Sequence, residues 1–143
     1  MNPRLTSTST LRVRYAETDQ MGVAYHTHYL VWCEIGRTDF IRQLGVSYAE
    51  LERAGLFLAV AEASIRYAGA ARYDDPIRVE TWVEGVQSRA ITFGYSITRD
   101  GNAARPLATA TTRLISLDAQ GAPRALPPSL LERFRGQLAA DPA

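Results

Sequence analysis

The sequence contains no lysine, so all 16 basic residues among its 143 are arginine. Arginine stays charged and binds carboxylate and phosphate groups through paired hydrogen bonds. The bias therefore permits recognition of a phosphate, although the base composition of the genome would explain it equally well. The 15 acidic residues leave a formal net charge of +1. No global positive field is present, and nucleic acid is not an expected partner.

Cysteine and long apolar segments are scarce too. The single cysteine, Cys33, excludes a disulfide within the chain and suggests a reducing compartment. No stretch approaches the roughly 20 apolar residues needed to cross a bilayer. The first ten residues are polar and lack the apolar core of a signal peptide. We expect a cytoplasmic protein without membrane insertion.

The composition that remains is that of an ordinary globular domain, with 46% hydrophobic and 22% charged residues. We predict a flexible N-terminus over residues 1–9 and a single domain over 10–143. The alternation of Leu11–Tyr15 predicts a first strand. Residues 27–44 are predicted to form one long helix, because apolar residues recur there at helical spacing: Tyr29, Trp32, Cys33, Gly36, Phe40 and Leu44.

The apolar period changes to two after the long helix and a predicted short one at 47–53. Such alternation is typical of antiparallel strands with one buried face. Pro127 and Pro128 then open a short amphipathic terminal helix. The fold class is α+β, with a curved antiparallel sheet wrapped around one long helix. The predicted strands cover residues 56–68, 77–87, 90–99 and 105–117.

The most informative segment joins the first strand to the long helix and reads YAETDQMGVAYHTHYLVWCEIGR over residues 15–37. It resembles the 4-hydroxybenzoyl-CoA thioesterase family of hot-dog proteins, especially its branch of small acyl-CoA thioesterases associated with the Tol-Pal cluster. In that family an aspartate follows strand one, then come a glycine, an aliphatic pair, an aromatic residue and the central helix. The matching residues here are Asp19, Gly22, Val23, Ala24, Tyr25 and His26.

The resemblance implies a hot-dog fold and hydrolysis of an acyl-CoA thioester, with coenzyme A as part of the substrate and no separate cofactor. Asp19 would attack the thioester carbonyl or activate a water molecule. The N-terminus of the long helix, with the backbone N–H of His26, would bind the developing oxyanion. Gly22 and Val23 would lie beside the substrate, since glycine lets a ligand approach the backbone.

Several of these residues keep a second interpretation. Tyr25 suits an active-site wall or the core equally. His26 would act as a base or orient the substrate, or would be structural. His26 and His28 are two residues apart and do not share a helical face, so no metal site is expected. Glu34 and Arg37 are three residues apart, which favours a local ion pair over a second catalytic acid at Glu34.

Ser88 and Arg89 occupy a predicted turn between two strands, where the family often places phosphate-binding residues. We expect them to bind the phosphates of coenzyme A. The resemblance also implies a homodimer whose sheet continues across both chains, assembled further to a tetramer. Asp19 of one chain would then face the other, and the segment Phe57–Tyr67 would line the shared cleft.

Two other functions stay open. A hot-dog acyl-CoA hydratase or dehydratase places its Asp and His in a different loop and at a different spacing, whereas Asp19 and His26 are seven positions apart. A non-catalytic acyl-CoA-binding protein needs no carboxylate beside a thioester. Both comparisons favour a thioester hydrolase.

Overall fold

A computed structural model describes residues 5–138. Its five strands form one antiparallel sheet in the order β1-β3-β4-β5-β2, with one long helix packed on the sheet. This confirms the predicted α+β class. The elements are β1 (Ser7–Arg12), a 3₁₀ turn (Tyr15–Glu17), α1 (His28–Gln43), α2 (Tyr48–Arg53), β2 (Phe57–Tyr67), β3 (Pro76–Gln87), β4 (Ala90–Arg99), β5 (Ala108–Leu117) and α3 (Pro128–Arg135).

The sheet buries one side of β3 and β4, as the alternation predicts. Ile77, Val79 and Val83 on β3 and Phe93 and Ile97 on β4 are each no more than 1% exposed. Apolar side chains at every second position point toward α1, and burial of this surface is the main favourable term in folding. The alternation therefore fixes which face of the sheet receives the helix.

Gly36 lets α1 approach the sheet closely. A Cβ atom at this position would lie 2.3 Å from Oγ1 of Thr81 and 3.0 Å from Cγ1 of Val79, both on β3. A larger side chain would push the helix away from the strand, and overpacking of this kind destabilises a core. The close approach explains a glycine in the middle of a helix, where it costs about 1 kcal/mol relative to alanine.

β1 differs from its prediction, because it begins at Ser7 and ends at Arg12. The segment 1–9 is therefore not wholly a flexible lead-in. Small polar residues conceal this strand in the sequence, yet Ser9 donates a hydrogen bond of 2.6 Å to Asp39 of α1, and Ser7 accepts one of 3.0 Å from Gln43. Residues 1–4 and 139–143, the ends of the predicted boundaries, lie outside the described residues.

β2 forms one edge of the sheet and, among residues 5–138, pairs with β5 alone. Residues 60–64 of this strand are exposed, and the register shifts between Val60 and Glu62, which leaves Ala61 as the extra residue of a bulge. α1 packs mainly against β1, β3 and β4. The long edge strand is thus left largely uncovered by its own chain.

Candidate active site

The loop after β1 is a tight hairpin built around Asp19. Thr18 pairs with Ala24, and the N–H of Asp19 donates to the carbonyl of Val23 at 2.9 Å. The N–H of Gly22 donates to the carbonyl of Asp19 at 3.0 Å, and its φ of +78° lies in the left-handed region that glycine adopts without strain. Asp19 and Gly22 thus close the turn together.

The two carboxylate oxygens of Asp19 have different surroundings. Oδ1 accepts hydrogen bonds from the N–H groups of Met21 at 2.8 Å and Val23 at 3.4 Å, which is the pattern of an Asx turn. Oδ2 has no hydrogen-bond or ion-pair partner among residues 5–138. One oxygen of this half-buried side chain therefore shapes the loop, while the other is free for a ligand.

The turn before α1 offers free backbone donors. α1 begins at His28, and the N–H groups of its first three residues donate to the carbonyls three positions earlier. The N–H of Tyr25 donates to the carbonyl of Glu17 at 2.8 Å. The N–H groups of His26 and Thr27 find no acceptor within the described part of the chain. The open amides thus belong to the turn that leads into α1.

Aromatic rings surround this turn. The hydroxyl of Tyr67, at the end of β2, donates to the carbonyl of His26 at 2.7 Å. The rings of Tyr25 and His26 lie 4.4 Å apart between centroids, and those of Tyr29 and Tyr67 lie 5.2 Å apart. Tyr25 is 46% exposed, so it forms part of a surface wall rather than of the core. Tyr67 was missed in the sequence because its partner is a distant backbone carbonyl.

Residues 13–134 match a sequence family described as the thioesterase-like superfamily. The chain belongs to this superfamily. YneP of Bacillus subtilis, which bears the provisional name of an acyl-CoA thioesterase, is 42% identical over 61% of this chain and 63% of its own length. The acyl-CoA thioester hydrolase YbgC of Escherichia coli is 29% identical over 87% of this chain and 92% of that protein.

Solved structures agree with the sequence matches. The DHNA-CoA thioesterase of Staphylococcus aureus superimposes with a TM-score of 0.87 and is 32% identical, covering 92% of this chain and 89% of that one. The hot-dog fold is therefore confirmed, and so is the expectation that this superfamily member is a thioester hydrolase. Its assignment to the Tol-Pal branch stays a prediction.

Glu17 is a buried acid of this thioesterase-like chain that the sequence analysis read only as part of a loop. It is 3% exposed and accepts hydrogen bonds from Nε1 of Trp32 at 3.0 Å and from the N–H of Arg14 at 2.8 Å. Nδ1 of His28 lies 3.9 Å from the carboxylate. With its carbonyl bound to Tyr25, Glu17 ties the loop to α1. A charged residue in a polar loop gives no sequence signal of burial.

The pKa of Glu17 is lowered by its partners. Burial raises this pKa, but the hydrogen bonds from the N–H of Arg14 and from Trp32, with the charge of Arg14, bring it below the ordinary value of 4.5. A lowered pKa means that the carboxylate stabilises the folded state above the unfolded pKa. This contribution is lost as the pH falls through the folded pKa.

We expect Glu17→Gln to reduce the free energy of unfolding near pH 7 and to flatten its fall as the pH drops below the ordinary glutamate pKa of 4.5. Urea unfolding at a series of pH values would measure both effects. Glu132→Gln, at an exposed acid on α3, is the matched control and should follow the wild type. Parallel curves for Glu17→Gln and the wild type would contradict the role given to this carboxylate.

Ser88 and Arg89 are exposed and lie far from Asp19 in one chain. The loop that holds Asp19 pairs with Arg72, just before β3 begins, whereas Ser88 and Arg89 follow the last residue of β3. β3 has 12 residues, which corresponds to roughly 36 Å for an extended strand. A single chain therefore does not bring the predicted phosphate-binding residues to the candidate catalytic carboxylate.

Cys33, the only cysteine of the sequence, lies on α1 and is fully buried in the core. Burial raises the pKa of its thiol to about 12, so a thiolate nucleophile is excluded near neutral pH.

Between residues 5 and 138, no group of three or more His, Cys, Asp or Glu residues could hold a metal ion. No helix in that span is long and apolar enough to cross a bilayer.

Proposed function

We propose that this chain hydrolyses acyl-CoA thioesters to a free acid and coenzyme A. The observation that carries the proposal is the free Oδ2 of Asp19 in the loop that leads directly to the open amides of His26 and Thr27. Thioester hydrolysis needs a carboxylate for attack or proton transfer and hydrogen-bond donors for the oxyanion. The names of YneP and YbgC support an acyl-CoA substrate.

Two routes fit this arrangement. In the first, Oδ2 attacks the thioester carbonyl, CoA leaves as the thiolate, and water hydrolyses the resulting anhydride. In the second, Asp19 takes a proton from water as the water attacks, and the C–S bond breaks when the tetrahedral intermediate collapses. In both routes the charge on the carbonyl oxygen is stabilised by the backbone N–H of His26. Its imidazole and the Tyr25 ring would orient the substrate.

The proposed enzyme is a homodimer joined through β2, with dimers assembled to a tetramer. An exposed edge strand is a template for pairing with another chain, and β2 is exposed over five consecutive residues, 60–64. Antiparallel pairing of two β2 strands reverses one sheet relative to the other. The partner's turn with Ser88 and Arg89 would then lie on the side of Asp19, where it could bind the CoA phosphates. Gly22 and Val23 would contact the pantetheine arm. A cytoplasmic location fits such a substrate.

The proposal is tested by steady-state hydrolysis of an acyl-CoA panel that includes acetyl, octanoyl, palmitoyl and benzoyl thioesters, with CoA release followed by a thiol reagent. We expect turnover of at least one substrate. Tight binding without turnover across the panel would instead indicate a binding protein. Hydration of an enoyl-CoA without CoA release would indicate a hydratase.

A further inference from the structure

A groove separates α1 from the edge strand β2. Its cavity measures about 240 Å³, with Leu30 and Val31 on the helix side and Val60 and Ala63 on the strand side. These walls are apolar, and Val31 and Val60 are 44% and 49% exposed. The groove can therefore receive an apolar chain but is not filled by this protein's own side chains.

The groove starts beside the open amides. Tyr67 links β2 to the carbonyl of His26, and Leu30 lies one helical turn further along α1. From Thr27 to Arg37 the helix advances ten residues, or about 15 Å along its axis. Because helical side chains lean toward the N-terminus, the guanidinium of Arg37 lies nearer to the amides than that. An acyl group whose carbonyl sits at the amides would thus extend toward Arg37.

Arg37 is a largely buried cation without a carboxylate partner. Its Nε is buried and makes no hydrogen bond, and no acidic oxygen within residues 5–138 lies within 4.0 Å of its guanidinium. Burial lowers the pKa of Arg37, but the neighbouring hydroxyls of Tyr95 and Tyr48 raise it above the ordinary value. Arginine thus stays charged here. A buried charge without a counter-ion is costly, so an anion that reached this guanidinium would be bound favourably.

The polar groups around the guanidinium do not neutralise it. The hydroxyls of Tyr95 and Tyr48 lie beside the guanidinium, and that of Tyr95 also shares a hydrogen bond of 2.6 Å with Oγ1 of Thr112, but both phenols are neutral near pH 7. Glu34 also lines the groove, but it is exposed and forms no ion pair with Arg37, contrary to the sequence-based expectation. Arg37 is therefore a cation on the wall of the groove that no carboxylate of residues 5–138 pairs with.

We propose that Arg37 selects acyl groups that carry a carboxylate at the end remote from the thioester, that is, dicarboxylic acyl-CoA substrates. This inference rests on the proposed function, since it assigns the acyl end of the same site. The apolar walls would bind the methylene chain. The guanidinium would bind the terminal carboxylate through the N–H of Nε, which has no partner among residues 5–138, and this ion pair would supply the missing counter-charge.

The test compares suberyl-CoA with octanoyl-CoA, which have the same chain length and differ by the terminal carboxylate. We expect the wild type to prefer suberyl-CoA by about 10-fold or more in kcat/KM, as for a hydrogen bond to a charged group. Arg37→Met should lower kcat/KM for suberyl-CoA by a larger factor than for octanoyl-CoA, so that the preference is lost, and Arg37→Lys should retain part of it. Arg42→Met, on the same helix but ion-paired to Asp39, should leave the preference intact.

Binding of free suberate and octanoate, measured by calorimetry, gives a readout independent of turnover. Suberate should bind more tightly to the wild type than to Arg37→Met. Equal loss of both activities in Arg37→Met, or a wild type without preference in hydrolysis and in binding, would overturn the inference. Should Arg37→Met fail to fold, the inference is tested by the preference of the wild type for suberyl-CoA and by the smaller preference expected of Arg37→Lys. Octanoyl-CoA turnover without a suberyl preference refutes this inference alone, whereas no turnover of any acyl-CoA refutes the proposed function.

Discussion

Asp19→Asn should lower kcat by about 100-fold or more, because removal of a catalytic base or nucleophile typically costs 10²–10⁴ in rate. Asparagine keeps a carbonyl oxygen that can accept the hydrogen bonds now made by Oδ1 with the N–H groups of Met21 and Val23. The loop should therefore survive while the reacting oxygen is lost. Initial rates on the best substrate of the panel would measure kcat and KM separately.

The chain contains a matched control for this substitution. Asp118 makes the same type of turn in a remote loop, where its Oδ1 accepts from the N–H groups of Gln120 and Ala122, both at 2.9 Å. Asp118→Asn should leave kcat unchanged, and both variants should unfold within about 0.5 kcal/mol of the wild type. Equal turnover by Asp19→Asn and the wild type would remove Asp19 from the chemistry and leave it as a turn residue.

A charge on the free edge of β2 should separate the chains. Ala61 lies next to the middle of β2 and, as a bulge residue, is not paired with β5. In Ala61→Lys the two-fold related lysines would meet across the proposed interface, where like charges cost several kcal/mol. We expect the dimer dissociation constant to rise by roughly 100-fold or more. Analytical ultracentrifugation would measure it.

The same substitution on the opposite edge provides the comparison. Thr8 is an exposed residue of β1, whose one partner strand in the described part of the chain is β3. Thr8→Lys should leave both the dimer and the activity unchanged, whereas Ala61→Lys should lose activity in parallel with the dimer. A dimeric, active Ala61→Lys would place the interface elsewhere on the chain.

The fold was predictable to the extent that periodicity reports burial. The alternation of Ile77, Val79 and Val83 identified β3 and its buried face, and the spacing of Trp32 and Phe40 identified the buried side of α1. Both patterns consist of apolar residues spaced within a single strand or helix, so the sequence displays them directly. β1 was placed too late because its buried positions are serines, which form hydrogen bonds with a helix 30 or more residues away in sequence.

The candidate site was predictable only where a short motif carries it. The residues from Asp19 to His26 lie together because one hairpin and one turn hold them. Glu17 and Tyr67 were missed, since their roles come from contacts with Trp32 and with a backbone carbonyl that no spacing encodes. The expected pair between Glu34 and Arg37 is absent among the described residues because Arg37 turns toward Tyr95 rather than along the helix surface.

The hydrogen bond from Tyr67 joins the edge strand β2, where we propose that a second chain binds, to the turn before α1, where we propose that the substrate binds. Its hydroxyl comes from the strand that would meet a second chain, and its acceptor carbonyl comes from the peptide turn that would polarise the substrate. In the proposed dimer this one hydrogen bond would couple subunit association to the geometry of the oxyanion site. Dilution of the protein below the dimer dissociation constant would then lower the turnover rate, even though Asp19 and the backbone N–H of His26 belong to the same chain.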